Sequence, residues 1–283
     1  MLYERKINLK NPNDSLSVIC HFVDKSACCL DVGCATGALS FALVKEKHCH
    51  VTGLELNEKS VKKCQKLNIF EDVFQCDLNH FAAKNFSAFI HSFDYIICAD
   101  VLEHLANPSF VLNELKKLLK PDGFFVISLP NVAHASIKAN LLLDDFSYTE
   151  IGILDKTHLH FYTAKSIAEF LTEAELKILK ADVVTMPLDG WQPHTLSELP
   201  KDVADFIAQD KHSHVMQYVV LCSLQKSSAT ANFQKLDDAA LAHLNSPQVL
   251  KPSFLFCLKR FAVCHLSFLM KYLEYINTIG KRR

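Results

Sequence analysis

Residues 30–37 read Leu30-Asp31-Val32-Gly33-Cys34-Ala35-Thr36-Gly37. An apolar run closes on an acid and then on a turn that carries two glycines. The run 27–32 is short and apolar apart from its acid, as a central parallel strand covered on both faces should be. Gly33 and Gly37 permit backbone angles and a close approach that a Cβ would block. The stretch therefore reads as a strand leading into a backbone loop that closes around a nucleoside-like ligand. Dinucleotide loops of the form G-x-G-x-x-G set a pyrophosphate on a helix N-terminus. The matching register here is Gly33-x-Ala35-x-x-Ala38, a poor match. An acid just before the turn also suits a cationic ligand better than an anionic one.

Working outward, strand and helix patterns alternate. Residues 38–47 read as a helix, and 50–54 as a second strand ending at Glu55. Asn57 caps a helix to 66, and 72–76 form a third strand ending at Asp77. The fourth strand, 93–99, ends at Asp100. Pro108 opens a helix to 119, Pro121-Asp122-Gly123 stops it, and 124–129 form a fifth strand. Asn13-Asp14-Ser15 caps a helix to 23 ahead of the first strand. Thr163 caps another to 174, and 176–184 and 214–223 are strands six and seven, with a short helix at 203–208 between them. This order predicts an α/β fold, a Rossmann-like, doubly wound, parallel sheet of seven strands with helices on both faces. A ligand then belongs outside the carboxyl ends of the strands, where Glu55, Asp77 and Asp100 all fall.

The chain has 283 residues, 49% of them hydrophobic, and a net charge of −1. A large core can be buried, and no general nucleic-acid affinity is expected. Eleven cysteines without a CxxC pair, set mostly in apolar runs (Cys28, Cys29, Cys76 and Cys98 among them), read as reduced thiols of a cytoplasmic protein. The N-terminus is polar and lacks a signal-peptide core. Residues 1–224 are expected to form the α/β domain. A Ser/Thr/Ala linker and a helical extension follow over 225–283. From residue 250 on there are seven Lys or Arg and one Glu, an excess of +6 that leaves the rest at −7. The apolar segment 253–279 with its basic end, Lys281-Arg282-Arg283, reads as an interfacial helix in peripheral membrane contact. A helix packed on its own domain or in a homodimer is the other reading.

The three acids have complementary chemistry. Asp31 can hold loop amides or an ammonium group, Glu55 can accept both hydroxyls of a ribose, and Asp77 can accept from an adenine amine. Each also has a bland reading, that of a solvated acid near a helix start. Together, in this order, they suit S-adenosylmethionine. On these residues the chain resembles the class I S-adenosylmethionine-dependent methyltransferases, over about 25–223. Residues 30–37 match the family's first motif, with Ala35 in place of a frequent middle glycine. Glu55 matches the ribose acid and Asp77 the adenine-side acid. FDYIICADVLEHL matches the fourth-strand motif, and LKPDGFFVISLPN the strand after the next helix. The resemblance implies a cofactor site of Asp31, Gly33, Cys34, Ala35, Gly37, Glu55, Leu56, Asp77, Leu78, Ala99 and Asp100. PNVAH, LLLDDFSYTEIGILDKTHLHFYT and QYVVL further resemble a bacterial subgroup associated with glycan assembly, including O-antigen synthesis. They are also similar to ubiquinone-pathway O-methyltransferases.

Asp100-Val101-Leu102-Glu103-His104 is expected to form a helical turn with 100, 103 and 104 on one face. Glu103 and His104 resemble the metal-binding pair of small-RNA and some quinone O-methyltransferases, and could bind a divalent ion with His158 or His160 as a further ligand. Without a metal, His104, His134 or His158 could serve as general base to a hydroxyl. Residues 130–162 are long for a βα loop and read as a substrate cap. The acceptor expected first is a small-molecule or lipid-linked saccharide hydroxyl. A polyprenyl phenol or quinone precursor is the second reading. A catalytically inactive binding protein that kept the fold is a third.

Overall fold

The computed structural model describes residues 7–224. The expected linker and basic extension, 225–283, and with them the membrane-contact reading, lie outside the described residues. Among those described, no helix is long and apolar enough to cross a membrane. The chain divides into two compact units.

The first unit takes in residues up to 132, 157–184 and the stretch from 216, and it holds the sheet. The strands are β1 (Cys28–Val32), β2 (His50–Glu55), β3 (Asp72–Gln75), β4 (Phe93–Ala99), β5 (Leu119–Pro130), β6 (Leu176–Thr185) and β7 (Val215–Leu224). Their order across the sheet is β3-β2-β1-β4-β5-β7-β6. Pairings from β3 through β5 are parallel. The order reverses at β1, whose neighbours are β2 and β4. This is the switch point outside whose carboxyl ends α/β proteins bind ligands. The expectation of an all-parallel sheet needs one correction: β7 runs antiparallel to β5, from Phe124↔Ser223 to Pro130↔Gln217. A fully buried apolar strand reads the same in either direction, so its pattern does not encode this.

Helices α1 (Ser15–Phe22), α2 (Ala38–Lys47), α3 (Glu58–Lys66), α4 (Pro108–Lys116) and α6 (Ala164–Glu173) belong to this unit. Asp14 caps α1 by accepting from the Leu16 and Ser17 amides, and Asn57 caps α3 through Lys59 and Ser60. Pro108 stands at the start of α4, where its missing N–H costs nothing. Ile19 of α1 and Leu43 of α2 pack on Cys29, Val51, Ile97, Val126 and Val219. The alternate strand residues Leu30, Ile96, Phe125 and Ile127 are equally buried, so the opposite face is covered too. Each such side chain contributes about 1.5–3 kcal/mol by leaving water.

The second unit holds 133–156 and 185–215. The stretch expected as a continuous loop contains a helix, α5 (Ala135–Leu142), capped by the His134 side chain. Ala135 and Ala139 pack with Leu196 and with Ile207 of α7 (Lys201–Gln209). Lys138 ties α5 to Asp210 at 2.5 Å and to the Ser213 hydroxyl at 2.8 Å. Asn140 donates to the His194 carbonyl and accepts its N–H, both at 3.1 Å. The nine cysteines among the described residues are free thiols, most of them buried.

Candidate active site

The glycine turn leaves β1 at its carboxyl end. Gly33, Ala35 and Gly37 all have positive φ, at 70°, 48° and 81°. At Gly33 a Cβ would lie 2.6 Å from Val101 Cγ2, so both the angle and the contact require glycine. The loop is braced by its own amides. Gly33 and Cys34 donate to the Leu54 carbonyl at 2.8 and 3.0 Å, and Gly37 donates to the Cys34 carbonyl at 2.8 Å. The Cys64 thiol reaches the Ala35 carbonyl at 3.3 Å. Cys34 is buried, and its sulfur fills the space over Gly53 that a Cβ would occupy.

Asp31 lies one residue inside β1, 2% exposed. Its partner is the Ser40 hydroxyl of α2, at 2.5 Å, not a loop amide. Burial pushes its carboxyl up to about 7, against the opposing Ser40 bond, and the nearby Glu55 charge adds to the rise. Glu55 closes β2. Its Oε2 accepts the Ala35 amide at 2.9 Å and its Oε1 the Asn57 amide at 2.7 Å. A carboxylate has about four acceptor positions, so two backbone bonds orient the group and leave capacity on both oxygens for a vicinal diol. Asp77 follows β3 and caps a short turn, Leu78–His80. It accepts the Asn79 amide and faces His80 Nδ1, both at 3.0 Å, and these hold its carboxyl below the usual range. Leu56 is 61% exposed and Leu78 is buried. Ala99 pairs with Ser128 across β4 and β5.

The expected helical face of 100, 103 and 104 does not form. Asp100 is left-handed, with φ 55°, and Val101 is not helical, so only Leu102–His104 make a turn. This bend sends Glu103 inward to 1% exposure. There it meets a segment more than fifty residues away. His158 Nε2 lies 4.0 Å from Glu103 Oε1, and the His104 and His158 rings stand 4.7 Å apart between centroids. The Leu159 and His160 amides donate to the Glu103 carbonyl at 2.8 and 3.1 Å, which pins this approach. Glu103, His104 and His158 each offer one ligand atom, all within 4.8 Å of one another. One carboxylate and two imidazoles suit a borderline divalent cation, so the donor set fits a metal. The His160 ring faces Tyr162 instead, with centroids 6.3 Å apart. His104 Nδ1 is 3.3 Å from the Thr157 carbonyl and 3.0 Å from its hydroxyl. In the tautomer protonated at Nδ1, both Thr157 oxygens accept and Nε2 carries the lone pair.

His134 is not a base candidate. It is fully buried, its Nδ1 accepts at the α5 cap, and burial pushes it down to about 4. Two residues that the sequence reading did not single out lie beside Asp100: Ser128 near the carboxyl end of β5 and Gln217 near the amino end of the antiparallel β7, both bonded to it. Gln217 opens the QYVVL stretch that carried part of the resemblance, but only the antiparallel return of β7 brings its side chain to Asp100.

A cationic amino acid end would relieve the buried Asp31, a diol fits the two-sided Glu55, and the exposed Leu56 and half-exposed Asp77 offer a surface for a base. These residues thus fit S-adenosylmethionine.

Comparison with known proteins agrees. Residues 11–181 match the family described as Methyltransferase domain. The ubiquinone biosynthesis O-methyltransferase of Idiomarina loihiensis is 32% identical over 187 residues, which cover 64% of this chain and 74% of that protein. Its namesake from Aromatoleum aromaticum is 33% identical over 103 residues, 36% of this chain and 43% of that one. The chain spans under half the length of that relative and of the one from Actinobacillus pleuropneumoniae serotype 7. Among solved structures, a chain from the complex of the Haloferax volcanii Trm112 methyltransferase activator with a methyltransferase aligns with TM-score 0.50. It is 14% identical, over 76% of this chain and 90% of that one, and shares the fold. The cyclase SpnF does likewise, with TM-score 0.50 at 15% identity over 75% and 80%. The glycine turn, the ordered acids and the family match over more than half of the sequence agree: this chain belongs to the methyltransferase-domain family of class I, S-adenosylmethionine-dependent methyltransferases.

Proposed function

We propose that the protein is an S-adenosylmethionine-dependent O-methyltransferase whose acceptor is a ring hydroxyl of a polyprenyl phenol or quinone precursor. The observation that carries the acceptor is the Glu103–His104–His158 cluster at the carboxyl end of β4. Such a donor set suits a cation that chelates adjacent ring oxygens. The curated relatives support the same choice, since the ones compared are named for ubiquinone biosynthesis. The saccharide or glycolipid hydroxyl expected first has no comparable support.

The donor, when bound, supplies a methyl group activated by a sulfonium, and a divalent cation would supply Lewis acidity to the acceptor oxygen. The chain's own part is to bind and orient. Glu55 takes the ribose diol and Asp77 the adenine amine, while Asp31 balances the ammonium. Proximity supplies much of the rate, because the oxygen must meet the methyl carbon in line with the departing sulfur. As the O–CH3 bond forms and the S–CH3 bond breaks, the hydroxyl proton passes to His104 Nε2. A cation held in the cluster would have Glu103, His104 and His158 as its ligands. Acceptor selection is assigned to 130–162, which follows the carboxyl end of β5.

The test is an incubation of the full chain with the donor and either a short-chain prenyl catechol or a monosaccharide glycoside, read by mass spectrometry. Methylation of the catechol alone is expected. Methylation of the glycoside and not the catechol would reverse the assignment. Turnover that survives exhaustive chelation would remove the cation and leave His104 as base.

A further inference from the structure

Asp100 directly follows β4 in a left-handed conformation, φ 55°. A non-glycine residue there needs support from its surroundings. Two neighbouring strands supply it. Ser128 on β5 accepts the Asp100 N–H at 3.1 Å and turns its own proton to Asp100 Oδ1, also at 3.1 Å. Gln217 on β7 donates its side-chain amide to that same oxygen. Both donors are buried, Ser128 fully and Gln217 to 5% exposure. An amide N–H only donates, and the serine hydroxyl has already accepted the backbone proton. Oδ1 therefore accepts twice, from two donors fixed on neighbouring strands. The next residue, Val101, is the one that fills the space over Gly33. The clamped acid thus stands beside the glycine turn, at the switch point of the sheet.

We propose that Ser128 and Gln217 are positioning residues that hold Asp100 as an anion toward the cationic methionine end of the methyl donor. The trio thereby separates the charged donor from its uncharged thioether product. The inference rests on the S-adenosylmethionine reading above. Methyl transfer removes the sulfonium charge and leaves the adenosine and amino acid parts unchanged. A carboxylate fixed in place, in a site partly shielded from water, favours the donor over the product and speeds exchange after each turnover.

Calorimetric titration of the full chain with S-adenosylmethionine and with S-adenosylhomocysteine tests this, in the wild type, Gln217→Met and Ser128→Ala. Loss of the charge-assisted amide bond should weaken the donor about tenfold and the product by less than about twofold. Ser128→Ala should shift the ratio the same way, and it carries the comparison if Gln217→Met does not fold. A merely structural clamp would weaken both ligands equally. Equal weakening, or an unchanged ratio in both variants with the wild type binding normally, overturns the proposal alone. A wild type that binds neither ligand overturns the methyltransferase reading, and the proposal with it.

Discussion

Replacing Asp31 with Asn isolates the energetic role of the buried acid at the cofactor turn. In the folded chain its carboxyl is pushed from 3.8 up to about 7, first by burial and then by the charge of Glu55, while the Ser40 bond resists. At about 1.4 kcal/mol per pH unit, the shift corresponds to about 4 kcal/mol. Its sign follows from proton counts. Between pH 3.8 and about 7 the folded state holds a proton that the unfolded state has released. Stability therefore falls as pH rises through that window, and the cost is complete above it. Asparagine keeps the shape and an acceptor for Ser40 without the charge. Urea unfolding of wild type and Asp31→Asn at pH 5, 6, 7 and 8 measures the difference directly, because other titrations cancel. The variant should gain about 3 kcal/mol on the wild type between pH 5 and pH 8. It should also bind the methyl donor more weakly above neutral pH, where it lacks the anion that the ammonium would meet. Parallel stability profiles for the two proteins would refute the buried-acid argument, whatever happened to binding.

Three further outcomes follow from the geometry. Gly33→Ala should cost about 1–3 kcal/mol in thermal unfolding, since it combines a positive φ with a contact at 2.6 Å on Val101; an unchanged melting temperature would contradict it. Glu55→Gln should weaken donor binding about tenfold by titration, because an amide cannot accept on both sides from Ala35 and Asn57; equal affinity would detach Glu55 from the ribose. His134→Ala should lose about 2 kcal/mol through its cap and its buried ring, yet keep kcat per folded molecule; a collapse of kcat with stability intact would restore it as a base. The same histidine, pushed from 6.5 down to about 4, makes the wild type less stable as pH falls through that interval, the opposite slope to that of Asp31.

The parts legible in the sequence are those set by local chemistry. The glycines of 33–37 carry their own backbone demand, and α2 and β4 fall on the expected residues 38–47 and 93–99 because short connections and apolar runs bound them. Glu55 and Asp77 stand at strand ends as read. What escaped needed either an unusual cap or a distant partner. The helix α5 hides because Ala135, Ser136, Ile137, Ala139 and Asn140 are all buried, which erases the amphipathic period, and because a histidine caps it. The expected face shared by Asp100, Glu103 and His104 failed on one left-handed residue. His158 joins Glu103, and Gln217 joins Asp100, across separations that no periodicity records. The direction of β7 is likewise silent in its residues.

The placement of β7 between β5 and β6 also sets an order of assembly. The far edge of β5, from Phe124 to Pro130, is paired only with β7. On a ribosome, β6 emerges first and has no place to dock until its successor slips in beside β5. A nascent chain that already displays the whole cofactor turn thus carries a bare, apolar sheet edge over some ninety residues of synthesis, an invitation to chaperones and to self-association. Because β7 also delivers Gln217 to Asp100, closing that edge and completing the clamp on Asp100 are a single event. A chain truncated before residue 215 would carry every residue of the first motif and lack both.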